Sequence, residues 1–322
     1  MKAIRFEKTG GPDVLEYKDV DLAPPGRGQA RVRHTAIGVN FIDTYHRSGL
    51  YPVALPSGLG MEAAGLVEAI GDGVTGLSIG DRVGYCGGPI GAYAEAANVP
   101  ADRLVHLPGS VSDEVAAASL LKGMTAQYLL KRTYPVKKGE TILFHSAAGG
   151  VGLIAGQWAK HLGATVIGTV GSDDKIALAR SHGYDHVVNL RQASWVDRVR
   201  EIAGGGLPVV YDSVGKDTWD GSLDCLRPRG MMVSFGNSSG AVASFSPGIL
   251  SAKGSLYLTR PTLAHYIATR TELQETANDL FDVIAKGAVT IEINQRFKLA
   301  DARAAHEAMH SRQTTGATIL MP

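Results

Sequence analysis

From Glu140 to about Pro261 the chain alternates between short apolar runs and stretches whose apolar residues fall at helical intervals. "TILFHSA", "ATVIGTV", "DHVVNL", "PVVYDSV", "MMVSFG" and "SLYLTR" each fit a buried strand. Between them, "GGVGLIAGQWAKHLG", "DDKIALARSHG", "SWVDRVREIAGG" and "DTWDGSLDCL" show helical spacing, and several run into glycine, a common helix stop. Repeated strand–helix–strand units predict a parallel sheet covered on both faces.

The first 120 or so residues have another rhythm. Short β-prone stretches, "QARVRHTAIGV", "AAGLVEAIG", "DRVGY" and "AYAEAANV", are separated by proline and glycine, which predicts a mainly antiparallel, β-rich domain. After Pro261 come two helical stretches, "LAHYIATRTELQETANDLFDVIAKG" and "DARAAHEAMHSR", and a strand-like "GATIL".

Composition narrows the class. A length of 322 residues favours two domains over one core. With 32 Lys+Arg against 31 Asp+Glu, bulk charge gives no drive toward nucleic acid or a membrane surface. The start, "MKAIRFEKTGG", has no apolar core of signal-peptide length and no later run is long enough to span a bilayer, so a cytoplasmic location is expected. Cys86 and Cys225 lie far apart and form no framework, as for two buried thiols in a reducing compartment. The 40 glycines are scattered rather than periodic, which excludes a collagen-like chain.

The chemistry begins at "FHSAAGGVGLIAGQWAK", where Ala147-x-Gly149-x-x-Gly152 follows a strand and opens a helix. This is the dinucleotide-binding pattern with its first glycine replaced by alanine. Small residues let backbone approach a pyrophosphate, and the helix start favours negative charge. The second strand speaks to the choice of nucleotide. An NAD site carries an acidic residue there for the ribose hydroxyls, whereas this strand ends in Gly171 and Ser172, with Lys175 one turn on and Arg191 after the third strand. A small residue backed by cations fits a 2′-phosphate, and NADPH is the expected cofactor. Asp173 and Asp174 read as the acidic first turn of a helix.

Taken together, "NFIDTYHRSGLYP" (40–52), "LPSGLGMEAAG" (55–65), "GDRVGY" (80–85), "LLKGMTAQYLL" (120–130), "VVYDSVG" (209–215), "GNSSGAV" (236–242), "LYLTRPTL" (256–263) and the glycine turn resemble the zinc-independent quinone oxidoreductases, zeta-crystallin-like, of the medium-chain dehydrogenase/reductase superfamily. The likeness covers essentially the whole chain. It implies a Rossmann doubly wound parallel sheet inserted in a GroES-like, mainly antiparallel β-rich catalytic domain. The expected segments are 1–123 for the first part of the catalytic domain, 124–262 for the NADPH-binding domain and 263–322 for the returning part.

The zinc alcohol dehydrogenases of the superfamily carry metal ligands at positions matching Asn40, Met61 and Leu121, none of which suits a zinc site here. The structural zinc lobe that would follow "GDRVGYCGG" is also missing, so no metal is expected. What remains suits reduction of an acceptor that is already electrophilic, held over the nicotinamide between the domains. By resemblance, Asn40, Tyr45 and Tyr51 donate hydrogen bonds to a quinone oxygen as charge develops, and Asp43 orients neighbours. Phe41 is a cofactor-binding residue, Thr125 and Tyr128 belong to the nicotinamide end, and Gly149, Gly150 and Val151 to the pyrophosphate. Gly171, Ser172, Lys175 and Arg191 belong to the adenosine phosphate. Val214, Asn237, Ser238, Thr259 and Arg260 line the far side, and Arg312 reaches it from the tail. Leu190 stands where close relatives place a tyrosine near the adenine.

Plainer readings exist for single residues. Tyr45 and Tyr51 flank "YHRSGLYP" and would cover a turn, Asn40 alone would be an ordinary turn or cap residue, and Lys175 and Arg312 alone would be solvated charges. Among functions, the competitors are an enone or alkenal reductase on the same fold and a non-enzymatic NADPH-binding structural protein. Nucleic-acid binding has little support in so balanced a charge. A homodimer or tetramer is expected, with "MMVSFG" and "SLYLTR" as candidates for a shared sheet edge.

Overall fold

The computed structural model describes residues 1–311 and 314–322. The strands are β1 (Lys2–Phe6), β2 (Glu16–Asp19), β3 (Gln29–Val39), β4 (Ser57–Gly58), β5 (Glu62–Ile70), β6 (Arg82–Cys86), β7 (Ala96–Pro100) and β8 (Val105–His106), then β9 (Thr141–Phe144), β10 (Thr165–Val170), β11 (His186–Asn189), β12 (Leu207–Asp212), β13 (Leu226–Ser234) and β14 (Tyr257–Thr259), and last β15 (Ile293–Lys298) and β16 (Ala317–Met321). The α-helices are α1 (Phe41–Ser48), α2 (Asp113–Tyr128), α3 (Gly150–His161), α4 (Ile176–Ser181), α5 (Trp195–Ile202), α6 (Trp219–Asp224), α7 (Gly248–Ala252), α8 (Arg270–Ala285) and α9 (Ala302–His310). Two compact units result, one of residues 1–124, 267–285 and 291–322, the other of residues 125–266 and 286–290.

The first unit is β-rich. Among the described residues, β2-β1-β4 form a small antiparallel sheet, and a larger one runs β15-β16-β3-β5-β6-β8 with β7 also on β3. Apart from the parallel β15–β16 pair, its ladders are antiparallel. The tail joins this unit through β16, with Thr318 opposite Val39. The long β3 alternates buried and open positions until it enters the core at Ala36–Val39, where Val32, Ile37, Val67, Val83 and Tyr85 pack together. Burying side chains of this size contributes about 1.5–3 kcal/mol each. Helix α9 adds Ala302, Ala305 and Met309 to that core, the spacing of an amphipathic helix.

The second unit is the parallel sheet. Its order is β11-β10-β9-β12-β13-β14, and every ladder is parallel. The chain starts in the middle, winds out one way and then the other, which is the doubly wound Rossmann order. It is inserted in a GroES-like domain, as the resemblance implies. Of the two strands expected at a free edge, only β14 lies there. β13 is paired on both sides, because its apolar run is filled by β12 and β14.

The structure differs from one expected helix and from one expected turn. The stretch beginning "LAHYIATRTEL" makes a short 3-10 turn, and α8 proper starts at Arg270. Thr269 sets that start: the Glu272 carboxylate accepts from the Thr269 amide (3.1 Å) while the Glu272 amide donates to Thr269 Oγ1 (3.2 Å), a capping box. The "YHRSG" segment is the end of helix α1 rather than a turn, closed by Gly49 at φ 83°, a left-handed conformation that glycine adopts without strain.

Candidate active site

In the second unit the glycine turn follows β9. Ser146 turns the chain at φ 57°, the Gly149 amide donates to the Ser146 carbonyl (2.9 Å), and the Ala147 amide to that of Thr169 (2.9 Å). Gly149 is the N-cap of α3 and has no side chain to cap it, so the first amides of the helix are available to an anion. A Cβ at Gly152 would lie 2.2 Å from the Ser146 carbonyl oxygen, which keeps α3 against the strand. At Gly149 a Cβ would meet that oxygen at 3.2 Å and the Ser146 Cβ at 3.9 Å, and at Gly171 nothing within 4 Å. The turn and the end of β10 are therefore open on the side where backbone must approach a phosphate.

The two acidic residues after β10 are accounted for locally. Asp173 accepts from Asn189 Nδ2 (2.8 Å), and the Asn189 oxygen accepts the Arg191 amide (2.9 Å). Asp174 is held below the ordinary carboxylate range by a hydrogen bond from Ser172, with Lys175 and Arg191 adding to it. Ser172, Lys175 and Arg191 thus share one corner at the ends of the adjacent strands β10 and β11.

The far-side residues gather at the ends of β12, β13 and β14. Asp212 is fully buried; its Oδ1 accepts the Val214 and Gly215 amides (2.7 and 3.0 Å), and its Oδ2 accepts Thr218 and Ser222 hydroxyls. The Ser238 amide donates to Ser213 O, and Arg260 NH1 to Ser234 O (2.9 Å). In the orientation that satisfies its neighbours, the Asn237 carboxamide donates to Gly236 O and accepts from Arg260 NH2 (3.2 Å). Thr259 ends β14 beside them. Gly149, Gly150, Val151, Gly171, Ser172, Arg191, Val214, Asn237, Ser238, Thr259 and Arg260 therefore follow the carboxyl ends of one sheet, where ligands bind in open α/β sheets. Thr125 and Tyr128 sit on the last turn of α2, and Tyr128 is buried in a stack on Tyr266 (ring centroids 4.4 Å). Arg312 lies outside the described residues.

In the first unit, Asn40 caps α1 and the next residues wind it. Asp43 reaches back to accept the Asn40 amide (2.8 Å). Phe41, Tyr45 and Tyr51 form an aromatic row, with centroids 5.4 Å apart for the first pair and 5.1 Å for the second; the Tyr51 amide donates to Tyr45 O. Asp43 is fully buried, and that burial lifts its carboxyl to about 7. Tyr93 Oη donates to Asp43 Oδ2 (2.9 Å) and meets His306 Nε2 at 3.2 Å; His306 Nδ1 meets Arg47 NH1 at 2.9 Å. Arginine only donates, so Nδ1 is the acceptor and Nε2 carries the proton. A one-way chain runs Arg47 → His306 → Tyr93 → Asp43. Burial and the Arg47 charge hold His306 down to about 3.

A second buried group went unnoticed in the sequence. The Glu62 carboxylate, with no exposure, accepts Asn40 Nδ2 at Oε2 (2.7 Å) and the Leu121 amide at Oε1 (2.6 Å). Lys122 Nζ stands 3.4 Å from Oε2. Two of the three positions matched to zinc ligands, Asn40 and Leu121, are thus bonded to Glu62, and Met61 is its neighbour in sequence. Among the described residues no group of three or more His, Cys, Asp or Glu side chains is arranged to hold a metal ion. The signal for this group was visible: Glu62 in "GMEAAG" and Lys122 in "SLLKGMT" are lone charges within apolar runs. Cys86 and Cys225 are both buried free thiols.

A Rossmann sheet inserted in a GroES-like domain defines a medium-chain dehydrogenase or reductase. Family models agree: residues 26–109 match the alcohol dehydrogenase GroES-like domain and residues 150–286 the zinc-binding dehydrogenase model. A quinone oxidoreductase of Pseudomonas aeruginosa is 56% identical over 100% of this chain and 99% of its own. A 2-haloacrylate reductase of Burkholderia sp. is 47% identical over 100% and 99%. The crystal structure of Escherichia coli quinone oxidoreductase complexed with NADPH superposes with a TM-score of 0.99, at 53% identity over the whole of both chains. The chain belongs to the quinone oxidoreductase family of the medium-chain dehydrogenases and reductases, and is an oxidoreductase.

Proposed function

We propose that this protein is a zinc-independent, flavin-free NADPH:quinone reductase. The observation that carries the reading is its likeness, over the full length of both chains, to a quinone oxidoreductase crystallised with NADPH. The open glycine turn and the corner of Ser172, Lys175 and Arg191 support a 2′-phosphorylated nucleotide. When bound, NADPH supplies a hydride from nicotinamide C4. Gly149, Gly150 and Val151 hold the pyrophosphate by their amides, and Val214, Asn237, Ser238, Thr259 and Arg260 bound the same groove. Thr125, Tyr128 and Phe41 serve the nicotinamide end. Asn40, Tyr45 and Tyr51 hold the acceptor oxygen as it gains charge, which offsets part of the barrier electrostatically. Asp43 orients α1 rather than transferring a proton, since its Oδ2 already accepts from the Asn40 amide and Tyr93.

A metal route has no support in the donor set, because Asn40, Met61 and Leu121 offer no zinc ligand. A second reading is reduction of an activated C=C bond, favoured by the 2-haloacrylate reductase likeness; the nucleotide half serves both. The setting is a cytoplasmic homodimer or tetramer, joined through the β14 edge where Tyr257 is 60% exposed. No helix is long and apolar enough to cross a membrane among the described residues. The test is NADPH oxidation with p-quinones against a series of enals; a preference for enals moves the function to the second reading.

A further inference from the structure

We propose that Glu62 is a positioning residue for acceptor reduction, acting through Asn40; the inference rests on the acceptor-facing role given to Asn40 above. A carboxylate only accepts, so the 2.7 Å contact fixes which end of the Asn40 carboxamide faces it. One Nδ2 hydrogen is committed to Glu62, and the second hydrogen and Oδ1 are held in set directions. Glu62 is itself fixed from another side, by the Leu121 amide at 2.6 Å and by Lys122 at 3.4 Å. A buried carboxylate persists only when paired and hydrogen-bonded, and this one is both.

Gly38 clears the space. A Cβ there would fall 2.2 Å from Glu62 Oε2 and 2.3 Å from the Ala117 carbonyl oxygen. The residue types at 38, 40, 62 and 122 therefore make one device, in which a strand carboxylate clamps the side chain at the head of α1 to α2. Without the clamp, Asn40 rotates about its terminal torsion and the acceptor loses an aligned donor. Misalignment on that scale costs about tenfold or more in rate.

The experiment has two arms. In ligand-free protein with ¹⁵N-labelled asparagine, the Asn40 carboxamide signals, assigned by their loss in Asn40→Ala, should shift and exchange faster with solvent in Glu62→Gln. In turnover with NADPH and 1,4-benzoquinone, Glu62→Gln should lower kcat about tenfold with KM for NADPH unchanged. In an Asn40→Ala background the same substitution should change nothing, because coupled residues are not additive. If Glu62→Gln does not fold, Glu62→Gln with Lys122→Met removes both charges of the pair and carries the same expectations. Unchanged Asn40 signals, or an equal kinetic cost with and without Asn40, overturn the proposal. A wild-type enzyme that turns over no quinone refutes the functional reading, while the spectroscopic arm still decides whether Glu62 holds Asn40.

Discussion

Replacing Tyr93 by phenylalanine tests the buried chain from Arg47 to Asp43. Tyr93 Oη serves two buried partners, Asp43 Oδ2 at 2.9 Å and His306 Nε2 at 3.2 Å. Its loss leaves His306 Nε2–H without that acceptor and Asp43 Oδ2 with the Asn40 amide alone. A hydrogen bond to a charged group contributes about 1.5–3 kcal/mol, and one between neutral groups about 1 kcal/mol. Which figure applies depends on pH. Burial lifts Asp43 to about 7 from the ordinary 3.8, so the folded state binds its proton more tightly than the unfolded chain. Stability from this group is full below about 4 and is lost as pH rises through about 7. Above that, Tyr93 donates to a carboxylate; below it, to a neutral acid. The His306 bond costs about 1 kcal/mol at either pH, so Tyr93→Phe should destabilise the protein by about 2.5–4 kcal/mol at pH 8.5 and by about 2 kcal/mol at pH 5. It should also move the pH-dependent loss of stability upward, because the carboxylate loses a donor. Urea unfolding followed by circular dichroism at the two pH values measures both. Equal destabilisation at the two, or a larger effect at pH 5, refutes the donor direction.

Asp43→Asn should flatten the fall in stability between about pH 4 and 7, which urea midpoints across that range will show. Gly152→Ala places a Cβ 2.2 Å from one backbone oxygen and 2.8 Å from another; neither moves cheaply, so a cost of about 1–3 kcal/mol and weaker NADPH binding are expected by thermal unfolding and fluorescence titration. Lys175→Ala and Arg191→Ala should each raise KM for NADPH about tenfold with NADH unaffected; an equal loss with NADH contradicts a 2′-phosphate corner. Light scattering should give at least a dimer mass, and a strictly monomeric mass rules out pairing through β14.

The parallel sheet was legible because each β–α unit is written locally: apolar run, glycine stop, next run. The glycine turn was legible for the same reason. Helix α2 was not, since nearly every residue from Ala116 to Leu130 is buried, and a helix apolar all round shows no stripe. Helix α1 was hidden by its mixed polar sequence, although Asn40-x-x-Asp43 is a capping pattern in outline. The Glu62 clamp joins positions 22 and about 60 residues apart, and the Arg47–His306 contact spans 259. Such pairings depend on tertiary packing; the sequence shows only their trace, lone charges in apolar company.

The central claim is tested most directly by steady-state NADPH oxidation, using protein freed of metal by chelation and shown to hold no flavin. Small and polycyclic quinones, a series of enals and NADH as the control donor complete the set. Fast quinone turnover with NADPH, slow turnover with NADH, and no change on chelation are expected. Activity that vanishes on chelation and returns with zinc would contradict the claim, as would equal use of the two nucleotides.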